Sequence, residues 1–474
     1  MAKALKVDIC VIGAGSGGLS VAAGASQMGA STVLIERGKM GGDCLNYGCV
    51  PSKALLAAGH AAQAVRGAGR FGVRAAAPAI DSGGVYGHVQ GTIAAIAPND
   101  SVERFEGLGV KGIASPARFT GPREIAADGT RITARRIVIA TGSSPAVPPI
   151  AGLKDVPYLT NETIFDLGQV PAHLIVIGGG PVGIEMAQAH RHLGARVTVV
   201  EMFSIMANDD PELVDVVRAR LAGEGIDLRE GVTVARVEKA GNGVAVVIAG
   251  NGAEDRVQGS HVLIAAGRRP NVEGLDLEKA GIAYTPAGIQ VDARLRTTNK
   301  RVFAIGDVAG GYQFTHMAGY HAGIVLRNAL FRLPAKVDTR AVPWVTYTAP
   351  ELAQVGLTED RARKQAGDIR VLRWPFAEND RARAERETDG LVKVITTPRG
   401  RILGAGIVGA HAGELIHAWV LAIGQKIKIG AVAGMIAPYP TLGEANKRAA
   451  GSFYTPALFG ERTKRIVRFL SHFG

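Results

Sequence analysis

The chain has 474 residues, 47% of them hydrophobic and 20% charged, a balance that suits a globular protein of several domains. Its formal charge of +12 invites a nucleic-acid reading, but Lys and Arg are scattered and aromatic residues make up only 5%, too few for base-stacking platforms. No nucleic-acid partner is expected, and the cationic excess suits anionic nucleotide cofactors or plain solubility.

Lys3 and Lys6 precede an uncharged run from Ile9 to Ile35 that has the outline of a secretory or membrane segment. The run is broken by Gly13, Gly15, Gly17, Gly18, Gly24 and Gly29, so it lacks the continuous Leu/Ile/Val/Phe content that insertion needs. A cytoplasmic protein with no integral membrane segment is expected. The run has a better explanation as Val7–Ile12, an apolar strand, then Gly13-Ala-Gly15-Ser-Gly-Gly18, a helix, and a second strand from Ser31 that ends at Glu36. This is the dinucleotide fingerprint. Gly13 permits the tight turn, Gly15 lets backbone approach a pyrophosphate, Gly18 allows close helix packing, and Glu36 accepts hydrogen bonds from a ribose. Cys10 lies inside the first strand and reads as core.

Next comes Gly41-Gly42-Asp43-Cys44-Leu-Asn-Tyr-Gly48-Cys49-Val-Pro-Ser-Lys53. The Ala- and Leu-rich stretch after Cys49 predicts a helix with Cys49 at its start, where free N–H groups and the positive end of the dipole favour a thiolate. A close cysteine pair in a large chain with one other cysteine points to redox or metal chemistry rather than a structural bridge. A metal site needs two more soft ligands, and there is no second cysteine pair. The residues therefore read as a redox dithiol/disulfide, against the alternative of an inert pair.

The fingerprint then recurs. His173–Ile177 leads into Gly178-Gly-Gly180-Pro-Val-Gly183, a helix to about Leu193, and Arg196–Val200 ending at Glu201, with the same spacing from first glycine to acid. Each copy closes alike, on Ala140-Thr141-Gly142 and on Gly267-Arg-Arg-Pro270. Such duplication predicts two nucleotide-binding folds. Further on, Arg301–Ile305 reads as an apolar strand ending in Gly306-Asp307, either a plain turn or a carboxylate reaching a flavin side chain. From Val342 the texture changes to short strands (Val345–Tyr347, Leu391–Thr396, Ile402–Val408), one helix near Glu414 to Ile423, and a last helix after Tyr439-Pro440-Thr441-Leu-Gly-Glu444. A mixed α/β domain with another duty is implied.

With these motifs in hand, the chain resembles the flavin-dependent pyridine nucleotide–disulfide oxidoreductases over nearly its full length, in the branch holding mercuric reductase and lipoamide dehydrogenase. The resemblance implies an α/β architecture of two Rossmann-like nucleotide-binding domains, for FAD and NAD, plus a C-terminal mixed α/β dimerisation domain. The expected segments are 1–150 (FAD-binding, with the redox disulfide), 151–270 (NAD-binding), 271–340 (a second FAD-binding segment) and 341–474 (interface). It implies that nicotinamide hydride reaches a Cys44–Cys49 disulfide through the flavin, with Cys49 touching the flavin and Cys44 exchanging with substrate. Lys53 would stand by the flavin and pair with Glu185, while Tyr439 and Glu444 of one subunit would face the disulfide of the other in a homodimer. The nucleotide-binding set it implies is Gly13, Gly15, Gly18, Glu36, Gly42, Lys53, Ala117, Thr141, Gly142, Gly178, Gly180, Gly183, Glu201, Val234, Gly267, Asp307 and Thr315, with no resident metal.

Three departures from the resemblance stand out. Relatives commonly carry Thr where this chain has Asp43, a substitution the sequence alone does not account for. Lipoamide and glutathione reductases carry a His where Tyr439 stands. A tyrosine with a reference pKa of about 10 is a poor base at neutral pH, whereas His titrates near about 6.5. Mercuric reductase shares the tyrosine but also uses a cysteine pair near its C-terminus, and Glu461–Gly474 holds none. That basic stretch, bearing Ile, Val and Phe, reads as a helix packed on its own subunit, with a weak surface anchor as the alternative. The expected function is NADH-preferring transfer to a small disulfide, quinone or metal-ion acceptor. The alternatives are dihydrolipoamide dehydrogenase and, from another class, a non-catalytic flavoprotein redox sensor.

Overall fold

The computed structural model describes residues 3–250 and 252–473, which form two compact units, each assembled from separated stretches of chain. The first unit takes the chain up to Gly179, then Ala189–Met202 and Gly231–Asp338. The second takes Gly180–Gln188, Phe203–Glu230 and the residues from Thr339 onward.

In the first unit, Lys3–Ile12 lies between Thr32–Glu36 and Thr130–Ile139, parallel to both, with Cys10 opposite Val33 and Ile137. Where these strands run side by side, at Ile9–Ile12, Val33–Ile35 and Ile137–Ile139, they are buried without alternation because both faces are covered, as parallel sheets require. Val110–Ala114 extends one edge, and the antiparallel hairpin strands Ala117–Gly121 and Glu124–Ala127 extend the other. Val302–Ala304 returns to the same sheet beside Ile137–Ile139, which puts Gly306-Asp307 at the C-terminal end of the first fingerprint's strands. Cys10 is fully buried, and burial pushes its thiol up to about 12, so it is core.

The second fingerprint has a parallel sheet of its own, His261–Ile264, His173–Ile177 and Arg196–Glu201, with the antiparallel strands Thr233–Ala240, Gly243–Gly250 and Ala253–Gly259 alongside. The two turns are near copies. Gly13 has φ +104° and a Cβ there would sit 2.3 Å from the Ala140 carbonyl oxygen; Gly178 has φ +114° and would sit 2.4 Å from that of Ala265. Only glycine fits either place.

The second unit is built on an antiparallel sheet in the order Pro343–Thr346, Glu351–Gly356, Ile402–Gly409, Leu391–Thr396 and Arg370–Pro375. Two of these strands, Glu351–Gly356 and Arg370–Pro375, are not legible as strands in the sequence. The first is opened by Glu351 and broken by Gln354, and charged residues interrupt the second. The expected single helix near Glu414 is two, Ala412–Leu415 and His417–Gly424. The helix Glu461–Leu470 buries none of its residues, so the expectation that it packs on its own subunit is not met. Among the described residues, no helix is long and apolar enough to cross a membrane.

Lys393, 3% exposed, is held in this sheet by Asp210 at 2.9 Å, Glu212 at 2.8 Å and Glu359 at 2.9 Å. Arg373 also holds Glu212 at 2.7 Å, so removing the lysine strands chiefly Asp210, itself 2% exposed. Lys393→Met is expected to cost about 3 kcal/mol, at the lower end for breaking a buried pair. A denaturant midpoint unchanged from the parent would contradict this.

Candidate active site

The redox loop is shaped by two left-handed glycines, Gly41 and Gly42, at φ +84° and +60°. Cys44 sits in the short helix Gly42–Asn46, and Asn46 Nδ2 donates to the carbonyls of Met40 and Gly42, both at 2.9 Å, which closes the loop on itself. Cys49 is the first residue of the helix Cys49–Gly67, as the sequence predicts. Here both residues are thiols, Cys44 half-buried and Cys49 exposed.

The two thiols are made unequal by their surroundings. Cys49 is lowered to about 6, chiefly by the hydrogen bond donated from Cys44, with Thr315 and the positive charge of Lys53 adding to it against burial and the charge of Asp43. Cys44 is pushed well up, first by that same hydrogen bond and then by burial. Thr315 Oγ1 lies 3.3 Å from Cys49 Sγ, at the start of the helix Thr315–Ala329. At neutral pH this gives a Cys49 thiolate beside a protonated Cys44.

Asp43 acquires a structural account. Its Oδ1 accepts from Asn161 Nδ2 at 3.0 Å and pairs with Arg268 at 3.1 Å. Asn161 also donates to the Tyr47 carbonyl at 3.1 Å, so one amide holds both ends of the redox loop. Arg268 donates to Ser143 Oγ at 2.7 Å and to the Ser143 carbonyl at 2.9 Å, and lies 3.9 Å from Asp307. Ser143 in turn donates to Asp307 Oδ2 at 2.6 Å. Asp307 is raised by burial, an effect opposed by Ser143 and Arg268. The buried His321 Nδ1 accepts from Gly306 N at 3.2 Å and fixes the turn that carries Asp307.

The closing segments of the two repeats meet each other here. Arg268–Pro270 pairs antiparallel with Ser143–Pro145, and Thr141 Oγ1 donates to the Asn271 carbonyl at 2.7 Å. Gly142 and Gly267, at φ +68° and +108°, make the two bends. None of Asn161, Ser143, His321 or Asn271 carries a signal in the sequence. Arg268 stood inside a recognised motif but without a role.

The glycine cradles fit dinucleotides. A Cβ on Gly15 would meet nothing nearer than Gly42 Cα at 4.0 Å, and one on Gly180 would meet nothing within 4 Å, so backbone N–H groups are open to a pyrophosphate. Gly18 packs against the turn, its Cβ position lying 1.8 Å from the Gly13 carbonyl oxygen, while Gly183 lies in the helix Pro181–His192. Glu36 accepts from Ala14 N at 2.6 Å and Gly38 N at 2.7 Å, and Glu201 accepts from Gly179 N at 2.6 Å, so each acid also pins its own glycine turn. Ala117 and Val234 offer strand backbone, opposite Ala127 and Ile248.

Glu185 belongs to the second unit, 4% exposed, and its Oε1 accepts from Tyr347 N at 3.0 Å; Lys53 belongs to the first. Tyr439 and Glu444 are engaged separately. The Tyr439 hydroxyl donates to Asp380 Oδ2 at 2.9 Å, and Glu444 pairs with Arg448 at 2.8 Å. Tyr439 is 68% exposed and its pKa is raised, first by the hydrogen bond to Asp380 and only last by the charge of Glu444.

The charge on Asp43 opposes the Cys49 thiolate. Asp43→Asn should therefore move the pH midpoint for alkylation of reduced Cys49, mapped by mass spectrometry, below about 6. An upward move would show that the loop, rather than the charge, is what Asp43 controls.

The chain is similar to known proteins over most of its length. Residues 7–322 match the family described as pyridine nucleotide-disulphide oxidoreductase, and residues 342–450 match the dimerisation domain of that family. The chain is 36% identical over 449 residues to a mercuric reductase of Staphylococcus aureus, covering 94% of this chain and 82% of that protein. It is 37% identical over 466 residues to a dihydrolipoyl dehydrogenase of Thermus scotoductus, covering 95% and 98%. Among solved structures, LpdA from Mycobacterium tuberculosis superposes with a TM-score of 0.86 at 28% identity, covering 94% of this chain and 99% of that one. The Cu(II) complex of the HOCl-induced flavoprotein disulfide reductase RclA from Escherichia coli gives 0.84 at 27%, covering 93% and 99%. The chain belongs to the pyridine nucleotide–disulphide oxidoreductase family and is an FAD- and NAD(P)H-dependent disulfide oxidoreductase.

Proposed function

We propose that this enzyme carries electrons outward, from NADH through the Cys44–Cys49 disulfide to a small oxidant, rather than inward from a dithiol. The observation that carries this reading is Tyr439. Its hydroxyl proton is directed to Asp380 and its pKa is raised, so it offers no base to a dithiol substrate at neutral pH. Bound FAD supplies the relay between nicotinamide hydride and sulfur. Two electrons and two protons open the disulfide to two thiols, with NADH and one solvent proton consumed and NAD⁺ released. Cys44 keeps its proton, Cys49 loses its own to solvent, and Lys53 and Thr315 hold the negative sulfur.

Cys44 is then the sulfur that meets the acceptor, while Cys49 stays by the cofactor. Lys53 and Glu185 are both proposed as catalytic residues. The dimerisation domain supports a homodimer in which Tyr439 and Glu444 approach the partner subunit's disulfide. The return of Val302–Ala304 to the first sheet supports 271–340 as the second part of the FAD-binding domain. Cys10 is buried, so only Cys44 and Cys49 are available to hold a soft metal ion, and they would receive it directly. Among the similar proteins are mercuric reductases and a reductase solved with Cu(II), which favours such an ion over small disulfides and quinones as acceptor.

Reduction by NADH without oxygen, followed by Hg(II), Cu(II), disulfides and quinones in turn, identifies the acceptor. Turnover of dihydrolipoamide with NAD⁺ as fast as NADH-driven reduction of any of these would overturn the outward direction. Installing a base should promote the inward reaction, so Tyr439→His should raise dihydrolipoamide turnover by about 10²-fold or more while NADH reduction of the disulfide stays within about two-fold. For the nucleotide, Glu201 can bond both ribose hydroxyls but repels a 2′-phosphate, and the following Met202 and Phe203 offer no cation. A kcat/KM for NADPH equal to or above that for NADH would refute the assignment of Glu201.

A further inference from the structure

From Lys464 onward the helix Glu461–Leu470 separates its residues into two faces at a 3.6-residue period. Ile466, Val467, Phe469 and Leu470 lie on one side, and Lys464, Arg465 and Arg468 on the other. In a helix of this length an apolar stripe ordinarily lies against a core. This one does not, for Val467 is 59% exposed, Phe469 64% and Leu470 58%. Thr463 Oγ1 donates to the Ala457 carbonyl at 2.7 Å and ties the first turn to the preceding short helix, whose Leu458 and the following Phe459 are also exposed. Phe473, just beyond the helix, stacks edge-on against Phe469 with ring centroids 5.1 Å apart and adds to the same apolar side.

The charges decide what covers this face. Glu461 is the only acid of the helix and pairs with Lys464 at 2.8 Å, which leaves the cations of Arg462, Arg465 and Arg468 in excess. A second copy of the same helix would bring like charges together, on a chain already at +12. We infer that Glu461–Leu470 docks in the plane of an anionic lipid surface, with Ile466, Val467, Phe469 and Leu470 entering the acyl boundary and the arginines reaching headgroup phosphates. Arginine stems accommodate this by lying along the apolar layer while the guanidinium stays at the headgroups. The enzyme would then meet oxidants at a membrane face.

Co-sedimentation of the FAD-loaded protein with vesicles tests this. Vesicles of equal parts phosphatidylglycerol and phosphatidylcholine should bind at least about ten-fold more tightly than pure phosphatidylcholine, and about 0.5 M salt should remove most of the difference. Phe469→Glu should abolish binding, and Arg465→Glu with Arg468→Glu should remove the phosphatidylglycerol preference, all with unchanged NADH oxidation by an artificial acceptor and unchanged elution volume. Equal binding to both vesicles, or to neither, overturns the inference. So does a shift of Phe469→Glu to a smaller species on gel filtration, which would assign the apolar face to a subunit contact; the charge-reversed pair, which leaves that face intact, then serves as the folded control.

Discussion

The hydrogen bond that Cys44 donates to Cys49 is the interaction on which the chemistry depends. Two thiols in one environment would titrate together and compete for both partners. Here one proton is held on Cys44, the other is lost from Cys49, and each state reinforces the other. The start of the helix Cys49–Gly67, Thr315 from a distant helix, and the charge of Lys53 all act on the same sulfur. The pair is thereby left as one thiol, Cys44, and one thiolate, Cys49.

That asymmetry is kept beside a carboxylate that works against it. Asp43 raises both thiols, yet it sits in the loop between the glycine cradle and Cys44. Arg268 explains how the charge is tolerated, since it bridges Asp43 and Asp307 while bonded to Ser143. Asn161 ties Asp43 to Tyr47. One cation thus joins the redox loop, the closing strand of the second repeat and the Gly306-Asp307 turn. A neutral threonine in place of Asp43 would not attract it.

How much of this was legible in the sequence follows from the range of each interaction. The fingerprints are local patterns in which strand, glycine and acid lie within a few dozen residues, and Gly13 and Gly178 occupy the same strained turn in both copies. Cys49 at a helix start is equally local. The Asp43–Arg268 pair joins residues with no sequence proximity, and composition gives no sign of it. Tyr439 is readable as a substitution but its partner Asp380 is not, because the two stand 59 residues apart in the chain. The strand Arg370–Pro375 hides because Arg370 and Arg373 serve partners elsewhere, Arg373 pairing with Glu212 and Arg370 lying over Phe453 at 4.0 Å. The helix Glu461–Leu470 shows the opposite failure, an amphipathic pattern that promises a packed face and has none.

The most direct test of the unequal thiols is the long-wavelength absorbance of a thiolate against oxidised flavin in the protein reduced by two electrons. It should rise with pH through about 6, vanish in Cys49→Ser, and be present without any reductant in Cys44→Ser, with its midpoint displaced upward by loss of the Cys44 hydrogen bond. A midpoint near the ordinary thiol value of about 8.5 in the parent, or a band that survives Cys49→Ser, would contradict the account.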